Sequence, residues 1–180
     1  MNKNKTEKLS YAAWFIDGEG TIVITKRRNR INPTQYLYSI LLWVYQKDWA
    51  IMDWLVWNFW WMVYLKDRRK NPIYEWILTH KKAYEFLKII TPFLKYKRPQ
   101  AELAIKFQQR LLKTTRWIDW RCQPLDKREL EIRSMMYEEM KAMKHIFNKS
   151  RIHELKSNGA AVTTKCEHPE MGCDSLTSQE

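Results

Sequence analysis

Two pairs of extended runs, each broken at a cluster of cations and each followed by a helix-forming segment, constrain this chain more than any other feature. The first pair covers residues 21–27 and 35–46, with Lys26, Arg27, Arg28, Asn29 and Arg30 at the turn. The second covers 61–67 and 73–79, with Arg68, Arg69, Lys70, Asn71 and Pro72 between them. Runs rich in Val, Ile, Thr, Tyr and Trp favour extended backbone, and Asn and Pro favour the turn. Four antiparallel strands with one apolar face need helices on that face.

The helices are available at the right places. Leu9, Ala12, Ala13, Phe15 and Ile16 recur near helical spacing and predict a helix over 7–18, ended by Gly18 and Gly20. Asp48 is a natural N-cap for a helix over 49–58. A third helix follows over 80–90 and stops before Pro92, and a fourth over 99–112 starts at Pro99. A fifth, over 126–146, is amphipathic through Leu130, Met136, Met140 and Met143. The expected architecture is α+β, an αββαββα core with a four-stranded antiparallel sheet covered by helices on one face.

Composition narrows the partner. The chain has 180 residues and a net charge of +12, a surplus that points to a polyanion, most often nucleic acid. Residues 126–148 balance to zero and 149–180 to −1, so +13 lies in residues 1–125. The segment 149–180 is polar and without periodicity, and is expected to be a disordered tail behind a domain at 1–148. Cys122, Cys166 and Cys173 are odd in number and irregular in spacing, which fits a reducing compartment. Cys166, His168 and Cys173 lack the spacing of a structural zinc site. Met1–Lys8 has no apolar core and is not a secretory signal. The most apolar run, 49–65, contains Asp53 and Asn58 and falls short of the roughly 20 residues of a spanning helix. A membrane-surface protein using this Trp-rich run and the basic charge is a rival class, without a membrane span.

The segment Tyr11–Gly20 reads YAAWFIDGEG. Together with the two hairpin–helix units, with VYQKD after the first and PFLKYKRPQAEL after the second, it resembles the LAGLIDADG homing endonucleases over residues 7–148. The resemblance implies DNA double-strand cleavage at a long, near-palindromic site by metal-dependent phosphodiester hydrolysis. One motif per chain implies a homodimer. Its interface is expected at Ala12, Ala13, Trp14, Ile16 and Asp17. Glu19 matches the final acid of the motif, a catalytic metal ligand, and Gly18 would add a backbone carbonyl for Mg²⁺ or another divalent cation such as Mn²⁺. Asp17 matches the acid that shapes the helix end. Gln46 matches a position that orders water, and Lys97 one that supports charge at the scissile phosphate. The ordinary readings beside these are a solvated helix end, a strand-end glutamine, and one more cation between Lys95 and Arg98.

Period-2 alternation together with the motif alignment turns Thr21, Val23, Thr25, Arg27 and Asn29 toward DNA, and Tyr64, Lys66, Arg68, Glu75 and Ile77 are expected on the later strands. Arg27 and Arg68 serve equally as phosphate contacts. The chain departs from the family pattern in four places. Trp14 stands where motif helices cross closely, which puts dimer packing and activity in question. Trp60 and Trp61 replace a Gly-rich turn, Leu41 and Trp43 put apolar groups on the DNA face, and Ala50 stands near a common Arg. A relative that lost cleavage and acts as an intron-RNA maturase or DNA-binding protein is the alternative reading. The resemblance also implies an intracellular protein of a bacterium, a phage-infected cell or an organelle matrix, with the host element and target sequence unspecified.

Overall fold

A computed structural model of the chain describes residues 3–30, 36–59, 63–67, 72–114, 117–118, 121–122 and 126–157. Helix α1 (Lys3–Glu19) leads without a loop into strand β1 (Gly20–Arg28), which pairs with β2 (Tyr36–Gln46). Helix α2 (Trp49–Phe59) precedes β3 (Val63–Asp67) and β4 (Ile73–Thr79), and α3 (His80–Ile90) follows β4 directly. A short 3-10 turn at Thr91–Phe93, containing Pro92, turns the chain toward α4 (Arg98–Thr114). A two-stranded ribbon, β5 (Trp117–Ile118) and β6 (Arg121–Cys122), and α5 (Lys127–Ser157) complete the order.

The four long strands form one antiparallel sheet in the order β1-β2-β4-β3. The expected α+β plan is therefore the observed one. Each hairpin stays contiguous, and the two inner strands, β2 and β4, join the halves. The β4-to-α3 junction is tight enough to put His80 at a positive φ of 50°, a region where histidine is tolerated better than most side chains.

One face of the sheet makes the core. Ile22 and Ile24 of β1, Ile40, Leu42 and Val44 of β2, and Trp76 and Leu78 of β4 are buried. Against them pack Ala83, Phe86, Leu87 and Ile90 of α3 and Ala101, Ala104 and Phe107 of α4. Alternation with period 2 on the strands and spacings of three and four on the helices brings these residues to one side. Each large side chain stabilises the fold by about 1.5–3 kcal/mol through burial. Trp76 and Phe86 meet edge to face at 5.2 Å.

The contacts divide the chain into Met1–Lys144 and His145–Glu180. The division expected at 148/149 falls inside α5, whose helix continues to Ser157. The expected tail therefore begins as helix. At the other end, α1 begins at Lys3 rather than at residue 7, and it runs through Gly18 to Glu19 instead of stopping at the glycine. The ribbon at 117–122 has no counterpart in the sequence reading. No helix among the described residues is long and apolar enough to cross a membrane.

Candidate nucleic-acid interface and acidic site

The C-terminus of α1 is fixed by a residue far along the chain. Lys97, buried at 6% exposure, donates from Nζ to the carbonyl oxygens of Ile16 at 2.8 Å and Asp17 at 2.7 Å. Helix carbonyls at this end lack intrahelical partners and carry partial negative charge, so an ammonium is well matched to them. Asp17 returns the contact. Its carboxylate accepts from the backbone N–H of Lys95 at 2.7 Å and of Lys97 at 2.8 Å. The helix end and the 95–97 turn thus hold one another through four charge-assisted bonds.

Gly20 completes this corner. A Cβ there would lie 2.8 Å from the carbonyl oxygen of Ile16, so only glycine lets the chain leave the helix this closely. Gly18 differs, because a Cβ there would meet nothing within 4 Å. Between the two, Glu19 is exposed and has no hydrogen bond or ion pair to a described residue. Gln46, at the end of the neighbouring strand, turns its Oε1 back to accept from the backbone N–H of Lys47 at 2.8 Å. A carboxylate and a nearby main-chain carbonyl are the hard oxygen donors a divalent cation takes. No group of three or more metal-ligating side chains occurs among the described residues.

Among the described residues, the second face of the sheet carries no helix-packed core. Thr21, Val23 and Thr25 of β1 are half-buried on it, and Arg27 is exposed near the turn with Asn29 just beyond the strand. In register with them come Trp43 opposite Thr21, Leu41 opposite Val23, Ser39 opposite Thr25 and Leu37 opposite Arg27. On β4, Ile77 pairs with Trp43 and Glu75 with Tyr45, while Tyr64 of β3 lies across from Glu75. Tyr45 donates from its hydroxyl to Glu75 at 2.5 Å, so Glu75 is held by a strand neighbour. Thr25 and Ser39 share a hydroxyl contact of 2.8 Å. A register shift between Leu65 and Asp67 puts Asp67, and not Lys66, opposite Ile73. The alternation expected from Tyr64 to Lys66 is therefore interrupted by a bulge. Arg68 lies outside the described residues. Tyr45, Ser39 and Thr79 were missed by the sequence reading, although the alternation of 36–46 is visible and would have found the first two.

Two expectations change. Ala12, Ala13 and Ile16 have no accessible surface within the single chain, and Asp17 is buried in its contact with the 95–97 turn. These four cannot face a partner subunit, because they already pack inside their own chain. Of the expected interface only Trp14 is outward, at 69% exposure, and Tyr11 stands beside it with ring centroids 6.1 Å apart. The turn from Tyr11 to Trp14 to Gly18 is the outer stripe of α1, spaced by three and four residues. Lys97, expected to support charge at the scissile phosphate or else to be one more cation in a basic loop, places its ammonium on the Ile16 and Asp17 carbonyls at the end of α1.

No protein-family model and no curated protein matches the sequence. Solved structures do match in shape. The homing endonuclease I-CvuI, in complex with a DNA target, superposes with a TM-score of 0.64 at 17% identity over 89% of this chain and 100% of that one. The archaeal intron-encoded homing endonuclease I-Vdi141I, complexed with DNA, gives 0.63 at 15% identity over 77% and 85%. The homing endonuclease I-TnaI gives 0.54 at 17% identity over 77% and 97%. The fold is the LAGLIDADG homing-endonuclease fold, as the motif at Tyr11–Gly20 implied.

Proposed function

We propose that the protein is a site-specific DNA endonuclease that works as a homodimer, and that two copies of Glu19 bring the metal-binding acids together. One observation carries the reading. The exposed Glu19, with no hydrogen bond or ion pair to a described residue, sits where α1 enters a sheet whose open face carries Arg27 and whose first strand runs out into Lys26, Arg27, Arg28 and Arg30. Cationic turns meet phosphates and the strand face enters the major groove. I-CvuI and I-Vdi141I are homing endonucleases solved with DNA, the former in the presence of Mg or Ca.

In this reading the Glu19 carboxylate and the Gly18 carbonyl hold a divalent cation. When bound, such an ion polarises the phosphate and lowers the pKa of water. The chain's own residues do the rest. Asp17 and Lys97 fix the helix end so that Glu19 keeps its position. Gln46 orients water at the strand end, and the basic turn holds the duplex. An intracellular setting, and a host intron or other mobile element, belong to the same proposal.

The test is cleavage of a randomised palindromic duplex library with Mg²⁺ by the parent protein and by Glu19→Gln. Specific double-strand cuts by the parent alone are the expected result. Binding by both proteins with cutting by neither overturns the nuclease and leaves a DNA-binding or maturase role.

A further inference from the structure

The open face of the sheet changes character along its length. Thr21, Trp43 and Ile77 lie in one row across the strands, and Val23, Leu41 and Thr79 in the next. All six are partly accessible, and none carries a guanidinium, amide or carboxylate able to pair with a base edge at two points. Side chains of that kind begin further out, at Arg27 and Asn29. Toward the Glu19 end the next row is closed by the Tyr45–Glu75 bond of 2.5 Å.

Resting on the DNA-binding reading above, we infer that these two rows read the C5 methyl groups of pyrimidines in the major groove. The methyl of thymine is the apolar feature that groove displays, and the other edges are donors and acceptors. Laying Trp43, Leu41 and Ile77 against such donors and acceptors would strip them of water without replacing the bonds, which is costly. Laying the same side chains against methyl groups buries apolar surface on both partners. The positive charge around the patch favours a duplex over a protein as the occupant. The patch is continuous along β1 with Arg27, which follows Thr25 on the same face, and residues 1–125 carry +13. Base pairs under the inner rows are therefore chosen for thymine, or for 5-methylcytosine, which presents the same group at the same place. Those under Arg27 and Asn29 are chosen by hydrogen bonding, for guanine and adenine.

The full-length protein, in a metal chelator so that nothing is cut, is allowed to select from two random duplex libraries. One contains thymine and the other deoxyuridine, which differs only by the methyl. Enriched thymine at the inner positions of the first pool, lost in the second while the outer preferences persist, is the expected result. A selected duplex remade with deoxyuridine at single inner positions should bind about fourfold more weakly per methyl removed. With cytosine or 5-methylcytosine at the same position, the methylated base should bind tighter by a similar factor, and equal affinity there with a loss on deoxyuridine assigns the preference to thymine alone. Inner preferences unchanged by deoxyuridine overturn methyl reading while leaving DNA recognition intact, as does retention of DNA without sequence preference. Retention of neither library, with self-association of the protein, overturns both readings and assigns the face to a protein partner.

Discussion

Two buried charge clusters hold this molecule together, and they are built in different ways. At the end of α1, Asp17 and Lys97 bond to backbone. The carboxylate takes two N–H groups and the ammonium two carbonyls. Between α4 and α5, Glu129 is instead satisfied by side chains. It accepts from Arg110 Nη2 at 2.6 Å and from Arg133 Nε at 2.9 Å, with the Thr114 hydroxyl 3.1 Å away. Arg133 Nη2 also donates to that hydroxyl at 2.8 Å. Backbone partners fix the position of a main chain, and so the first cluster sets where Glu19 stands. Side-chain partners fix the packing of two helices and leave the site untouched. A buried charge near the acidic site is thus a positioning device, and the one away from it is a fastening.

The larger effect is expected at the α1 cluster. Asp17→Ala removes two acceptor bonds and leaves the backbone N–H groups of Lys95 and Lys97 without their acceptor. A loss of about 2–4 kcal/mol in unfolding free energy is expected, read by denaturant titration. Cleavage should fall even under conditions where the variant is folded, because the helix end is no longer fixed.

Glu129→Gln should cost less, about 2–3 kcal/mol, since Arg110 is partly solvated. Its cleavage per folded molecule should equal that of the parent, and a loss of activity in the folded variant would count against a purely fastening role. This cluster also predicts a pH dependence. Burial acts to raise the Glu129 pKa, but the bonds from Arg110, Arg133 and Thr114 and the charge of Arg133 outweigh it, and the carboxyl lies below its ordinary value of 4.5. A group depressed in the folded state contributes stability above its unfolded pKa and loses it as pH falls through the folded one. Unfolding free energies of parent and Glu129→Gln, measured from neutral pH downward, should therefore differ most at neutral pH and draw together as the pH falls below 4.5 and on through the lowered folded-state pKa.

The two glycines of the motif make a finer contrast. Gly20→Ala forces a Cβ to 2.8 Å from the Ile16 carbonyl and should destabilise the chain by about 1–3 kcal/mol. Gly18→Ala meets open space and should leave the isolated chain unchanged or stabilise it by up to about 1 kcal/mol, since alanine favours the helix. If that folded variant no longer dimerises or cuts, the glycine serves an approach from outside the chain. The smallest thermodynamic effect belongs to Glu19→Gln, expected within about 0.5 kcal/mol of the parent because the side chain is exposed and has no partner among the described residues.

Trp14 separates what was legible in the sequence from what was not. Its position in YAAWFIDGEG could be read directly, and so could its conflict with a close helix crossing. Which neighbours of Trp14 face outward could not be read, because small residues such as Ala12 and Ala13 suit a helix crossing between chains and a close contact within one chain equally well. Only the packed core shows that they are used internally. The role of Lys97 was hidden for a related reason. It acts on carbonyls 80 and 81 residues away, and in sequence it looks like its exposed neighbours Lys95 and Arg98.

The order of the elements, the two hairpins, the buried face of each strand and the placement of Glu19 at a helix end were determined by local chemistry. Strand periodicity, basic turns and the residues flanking each helix are properties of short windows of sequence. The β1-β2-β4-β3 order, the bulge between Leu65 and Asp67, the burial of Ala12, Ala13, Ile16 and Asp17, and the capping of α1 by Lys97 were decided by tertiary structure. These depend on which distant segments exclude water together, and a packing free energy of that kind is shared among residues that no local pattern connects.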